Sequence, residues 1–132
     1  IISIGFFFRF CWSGDIAGLS KTQLDELFAA EKFYERVAPI IKHGNSYIYR
    51  TDICSFHSPT GTQAVVRYSE DGDEALVVIH TFEDMKNMKI TLKGNYKIAD
   101  SLYENTACIK GDVLEISNMS DFTGNVLLLS KK

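Results

Sequence analysis

What this sequence lacks narrows its chemistry before any motif is considered. No run of lysine and arginine forms a patch. The 14 basic residues are scattered among 17 acidic ones and the formal net charge is −3, a balance that would not draw a nucleic acid. The three cysteines, Cys11, Cys54 and Cys108, are widely spaced and odd in number. With no CxxC pair and no Cys/His cluster, neither a disulfide framework nor a zinc site is expected, and no metal or cofactor is implied. The thiols read as small apolar side chains, mostly buried, in a reducing cytoplasm. The opening run IISIGFFFRFCW has no basic start, because its one charge, Arg9, comes late. It therefore does not read as a signal peptide, which needs a basic start before its apolar run. It is far shorter than the roughly 20 residues of a membrane helix. Neither a membrane partner nor secretion follows, and the expected location is cytoplasmic. The sequon Asn118-Met119-Ser120 would matter only in a secreted protein. Repeats and low-complexity stretches are absent.

What is present is enough for one ordinary domain with a single core: 132 residues, 45% hydrophobic, 23% charged and 12% aromatic. Two regions differ in period. Over residues 20–42, Leu24, Leu27, Phe28, Tyr34, Ala38 and Ile41 recur at three- and four-residue steps, and Phe33, Val37 and Ile40 widen the stripe. Ser20 with Gln23 three residues on predicts a capping box. Asp25 and Glu26 suit the positive end of the helix dipole. Lys42 and His43 suit the other end, with Gly44 as a left-handed C′ residue. Pro39 would kink or fray the last turn. Glu31 interrupts the stripe and reads as a solvated edge.

After Gly44 the period becomes two. Strands are expected over residues 47–53, 62–69, 74–82, 88–92, 96–103, 113–117 and 122–130. Between them lie turns at 70–73, 93–95, 110–112 and 118–121, rich in Asp, Asn and Gly. Residues 74–82, EALVVIHTF, are apolar on both faces in the middle and so predict a central strand. Many short strands without an intervening helix indicate an antiparallel sandwich. His80 reads as a strand histidine, and His43 and His57 as surface residues. The tyrosines at 47, 49, 68, 96 and 103 either line a sugar-binding face or are the ordinary content of half-buried strands.

The run FRFCWSGDIAGLSKTQLDELFAAEKFYERVAPIIKHG, residues 8–44, carries a resemblance. Ser13-Gly14-Asp15 follows an apolar segment, Leu19-Ser20 opens the helix, Phe33-Tyr34 lies within it, and PIIKHG closes it at 39–44. In these features it resembles the end of the catalytic barrel in α-galactosidases of glycoside hydrolase family 36. The resemblance implies a mainly β chain: an antiparallel β-sandwich preceded by one amphipathic helix and a hydrophobic remnant of a (β/α)8 barrel. It divides the chain into 1–44, the last barrel strand and helix, and 45–132, the C-terminal sandwich. It also makes the chain a C-terminal fragment of a retaining glycosidase whose α-galactoside substrate is bound by a barrel upstream.

The family departs from this chain in length, its members being several times longer, and at Trp12, where relatives carry an aliphatic residue. The two carboxylates of a retaining mechanism, about 5–5.5 Å apart, come in that family from motifs on earlier barrel strands. Neither motif is present, so no catalytic residue is assigned and the 132-residue chain is expected to be inactive alone. Trp12, Ser13 and Asp15 are the substrate-adjacent candidates, since active sites of such barrels are built beyond the C-terminal ends of the strands. Asp15 also has a plainer reading, as a turn aspartate bonding nearby amides, and Trp12 as a core residue. The alternative is a non-catalytic β-sandwich that binds carbohydrate or protein. In either case the apolar faces of stub and helix need cover, and a homo-oligomer would supply it.

Overall fold

The helix begins at its capping residues. α1 spans Lys21–His43, and Ser20 is the N-cap with extended backbone, φ −67° and ψ 160°. The Gln23 amide donates to Ser20 Oγ at 3.3 Å while the Ser20 amide donates to Gln23 Oε1 at 2.9 Å. The capping box thus forms as expected and satisfies two donors that a helix start leaves orphaned. The helix continues past Pro39 to His43. The structure, a computed structural model, describes residues 16–50, 60–104 and 106–132. The opening run, Cys54 and His57 lie outside these.

Among the described residues eight strands follow: β1 (Asn45–Arg50), β2 (Thr62–Tyr68), β3 (Glu74–Thr81), β4 (Met85–Thr91), β5 (Tyr96–Ser101), β6 (Cys108–Lys110), β7 (Val113–Met119) and β8 (Thr123–Lys131). They form a five-stranded sheet, β1-β2-β3-β8-β5, and a three-stranded sheet, β4-β7-β6. Every pairing is antiparallel. The chain is therefore a mainly β antiparallel sandwich, with one helix among the described residues. β3 lies at the centre of the large sheet, as its two-sided apolar run predicts. β6, only three residues long, gives too brief an alternation to show in the sequence.

The large sheet is buried on both faces. Towards the small sheet, Ala64, Val66, Val77, Ile79, Leu127 and Leu129 pack with Ile90, Leu114 and Ile116. On the opposite face, Leu76 and Val78 of β3 and Val126 and Leu128 of β8 pack with Phe33, Val37 and Ile40 of α1. Each of these side chains except that of Ala64 contributes about 1.5–3 kcal/mol when fully buried. This explains why β3 and β8 are uninterrupted apolar runs: successive side chains point to opposite faces, and both faces are core. The order is helix, large sheet, small sheet.

The helix face that seats is not the stripe the periodicity places first. Ala30 and Val37 are fully buried, with Phe33 and Ile40 close behind, whereas Leu24, Leu27, Tyr34, Ala38 and Ile41 are half-buried and Phe28 is 53% exposed. The two stripes lie side by side on the cylinder. The one containing alanine and compact valine allows the helix backbone to come close to the sheet and fill space at core density. Glu31 is exposed, as read from the sequence. Cys108 is also exposed, contrary to the buried thiol expected, because it lies on the outer three-residue strand of the small sheet.

The end of the helix is fixed by β2. Arg67 Nε donates to the Ile40 carbonyl at 2.9 Å, and its guanidinium donates to Ser46 Oγ at 2.8 Å. A cation thereby meets the negative end of the helix dipole and an orphan carbonyl. The Gly44 amide donates to the same Ile40 carbonyl at 2.9 Å. Gly44 is not left-handed, as the sequence suggests, but extended at φ −78° and ψ 175°. Glycine is needed there for closeness: a Cβ would stand 2.4 Å from the Tyr68 carbonyl oxygen and 2.5 Å from that of Ile40. Arg36 and Glu74 add an ion pair at 2.6 Å between helix and β3, which holds the Arg36 pKa above its ordinary value. Exposed pairs of this kind add little stability.

Gly44→Ala is expected to destabilise the chain by about 1–3 kcal/mol, the cost of overpacking a site whose neighbours are backbone. A denaturant titration checks this. Ala at position 72, where an added Cβ meets nothing within 4 Å, serves as the comparison and loses only what a left-handed alanine costs, about 1–2 kcal/mol. Because helix and sheet share a core, protection of the last helical turn should fall with global stability in both variants, and only in Gly44→Ala should it fall further than that of the sheet centre.

Candidate functional site

The tyrosines proposed from the sequence as a sugar-facing row are mostly structural. Tyr68 and Tyr96 are buried within the sandwich, with ring centroids 5.9 Å apart. The Tyr68 hydroxyl accepts from the Lys93 amide at 2.9 Å, and the Tyr96 hydroxyl donates to the Gly72 carbonyl at 2.7 Å. Burial raises the pKa of both, which keeps them neutral. Tyr49 donates to the Thr91 carbonyl at 3.3 Å. Tyr47 is 40% exposed, but the Lys93 ammonium lies 3.3 Å from its ring centroid, an arrangement that occupies its face. These rings tie turns to the sandwich and present no open platform.

Tyr103 is the exception. It lines a cleft of about 670 Å³ at one end of the sandwich, a size within the usual range for small-molecule sites. The floor is core: Ile79, Ile116 and Leu127. The walls are the segment after β5, the end of β7 and the start of β8, with Glu26 of α1 contributing from the helix. A register shift between Ile98 and Asp100 in β5 turns that strand as bulges do, and the chain then crosses the end of β8.

Side chains hold the walls in place. The Asn125 carboxamide accepts from the Tyr103 amide at 3.0 Å and donates to the Tyr103 carbonyl at 3.2 Å, reproducing a strand-like pairing for one residue. Ser101 Oγ also donates to the Tyr103 carbonyl at 2.8 Å. Thr106 Oγ1 donates to the Ser117 carbonyl, and the Asp121 amide donates to Asp84 Oδ1 at 2.9 Å. Two non-glycine residues here have left-handed backbone, Asn118 near the end of β7 at φ 56° and Phe122 in the turn before β8 at φ 51°. For asparagine this is common; for a bulky aromatic it is an outlier.

The lining chemistry is polar without positive charge. Glu26 and Glu104 are carboxylates, Asn118 is an amide, and Ser117, Ser120, Thr106 and Thr123 bring hydroxyls; among the described residues no Lys, Arg or His lines the cleft. Burial is the main cause raising the Tyr103 pKa, with Glu26 adding to it. His80 lies outside the cleft, half-buried on β3 with its ring 5.3 Å from Phe82, and burial lowers its pKa, so it is neutral at pH 7. Among the described residues no group of three or more His, Cys, Asp or Glu is placed to hold a metal ion. No described helix is long and apolar enough to cross a membrane.

Trp12, Ser13 and Asp15 lie outside the described residues. Of the cleft residues, Phe122 and Asn125 carry no site reading in the sequence, and Asn118 enters it only through its sequon and a turn. An aromatic inside a polar turn (Ser120-Asp121-Phe122-Thr123) is the one local signal that could have pointed there. No protein-family model matches the chain, and no curated protein sequence matches it. Among solved structures, a crystal structure of an alpha-amylase from H. orenii aligns with a TM-score of 0.48 and 17% identity, over 83% of this chain and 20% of that one. The chain thus spans about a fifth of the length of that protein.

The Asn125 pairing yields a direct expectation. Asn125→Leu keeps the branched shape but leaves the Tyr103 amide without its partner and the Tyr103 carbonyl with Ser101 Oγ alone, at an expected cost of about 1–3 kcal/mol. Amide exchange at Tyr103 should accelerate with it, while exchange at Val77 in the sheet centre follows only the global change.

Proposed function

We propose that the chain is the C-terminal part of a glycoside hydrolase, joining the last helix of a catalytic barrel to the sandwich that follows it. What carries the reading is the helix itself. The residues 8–44 that resemble family 36 α-galactosidases include a helix that forms at Lys21–His43 with its Ser20–Gln23 box. A mainly β sandwich follows in the expected order. The division at residue 44 is part of this proposal: the first 44 residues belong to the barrel's end, although α1 shares a core with the large sheet. In such a parent, the role of this chain is architectural. The sandwich anchors the closing helix, and Trp12, Ser13 and Asp15 border the substrate without performing the chemistry. The paired carboxylates of a retaining mechanism belong to strands upstream, with an α-galactoside as substrate.

Two measurements test this. The purified 132-residue chain is expected to show no turnover of a chromogenic α-galactoside above a buffer control; turnover would overturn the assignment of the catalyst to an upstream barrel. The encoding reading frame is expected to continue upstream through a barrel-sized region with two strand-end aspartates, and the longer protein to hydrolyse the α-galactoside. A start codon directly before Ile1 would overturn the whole reading. A longer protein that cleaves only other glycosides would overturn its α-galactoside part.

A further inference from the structure

The cleft between β7, β8 and the segment after β5 has a chemistry that the proposed parent activity does not use. Its volume, about 670 Å³, exceeds what one or two waters need and suits a small molecule. Its walls are already held by the Asn125–Tyr103 and Thr106–Ser117 hydrogen bonds, so little ordering would accompany binding.

Charge narrows the ligand. Among the described residues the cleft has no basic lining residue to neutralise a phosphate or carboxylate. Its two carboxylates, Glu26 and Glu104, are exposed, so water and salt screen their attraction for a cation. They remain strong acceptors for hydroxyl donors. Asn118 offers both a donor and an acceptor at the same rim.

The second observation is Phe122. It lines the cleft, is 69% exposed, and holds φ 51°. An exposed bulky aromatic in the left-handed region is doubly disfavoured, and strain of this kind gathers where a side chain must be presented. Phe82 packs against it with centroids 6.3 Å apart and 74° between the ring planes, while the exposure of Phe122 leaves ring surface free to stack on an apolar partner. An aromatic face beside hydroxyl, amide and carboxylate acceptors, without positive charge, matches a ring with one apolar face and a girdle of hydroxyls.

We infer that this cleft binds a short neutral oligosaccharide, with a sugar ring stacked on Phe122 and its hydroxyls on Asn118, Glu104 and the Tyr103 hydroxyl. The inference rests on the cleft alone and holds whether or not the chain belongs to a larger glycosidase.

Amide NMR of the 132-residue chain, titrated with melibiose and with maltotriose to about 20 mM, reads affinities in the millimolar range. Spermidine and inorganic phosphate serve as charged counter-probes. The expected result is saturable shifts with at least one sugar, confined to residues 103–107 and 116–125, with no comparable shifts from either counter-probe. Phe122→Asn, which suits a left-handed backbone but lacks the ring, should bind about tenfold more weakly. Asn118→Ala should also weaken binding, while Tyr47→Ala, away from the cleft, should not. The inference is overturned if neither sugar moves these residues or if the shifts fall elsewhere. It is equally overturned if spermidine or phosphate moves them as strongly, or if Phe122→Asn binds as the parent chain does.

Discussion

The contact on which the rest of this structure depends is the meeting of the helix end with β2. The carbonyl of Ile40 receives both the Arg67 guanidinium and the Gly44 amide. The absence of a side chain at Gly44 lets the backbone pass within touching distance of the Tyr68 carbonyl. The junction sets the direction in which the chain leaves the helix and enters β1. It also fixes the rotation of the helix, and so which of two adjacent apolar stripes faces the sheet. Once Phe33, Val37 and Ile40 are turned inward, β3 and β8 must be apolar on both faces, and the large sheet becomes the middle layer. The hydrogen bonds here are modest in energy, about 1.5–3 kcal/mol for one with a charged donor; their effect is geometric, directing a larger hydrophobic term.

The same arrangement builds the cleft. Seating α1 along β3 and β8 brings Glu26, two turns from the other end of the helix, to the mouth of the sandwich. Asn125, on the strand at the centre of both cores, uses its side chain to hold Tyr103 across that mouth. The buried amide has its polar groups met, which is the condition under which a polar side chain in a core is tolerated. The floor is ordinary core and the walls are turns, so the cleft's chemistry can vary without disturbing the fold. This is the usual division between a rigid scaffold and the loops it carries.

Much of this was legible in the sequence, for identifiable reasons. The capping box is local and needs only Ser20 and Gln23. β3 and β8 announce themselves because burial on both faces removes polar residues from both parities. The correct helix stripe was not legible, since two neighbouring apolar stripes are equally periodic and only the sheet chooses between them. Gly44 looked like a left-handed cap because sequence records the residue and not the distance to Tyr68. The cleft was hidden because its residues come from segments more than 70 positions apart, Glu26 and Phe122 among them, and because Asn125 acts through a pairing that no spacing encodes. For the tyrosines the sequence left two readings open, because alternation makes them visible but does not show that the Tyr68 and Tyr96 hydroxyls are committed to turn backbones.

The central claim is that helix and sandwich are one cooperative unit sharing a core, with the junction at Gly44 as its fixed point. Native-state hydrogen exchange tests it most directly. The account predicts that amides in the seated half of the helix, Val37 and Ile41 among them, open with the same free energy as Val77 and Leu127 in the large sheet, and respond to denaturant with the same slope. Helix amides that exchange orders of magnitude faster, with a shallow slope of their own, would contradict it.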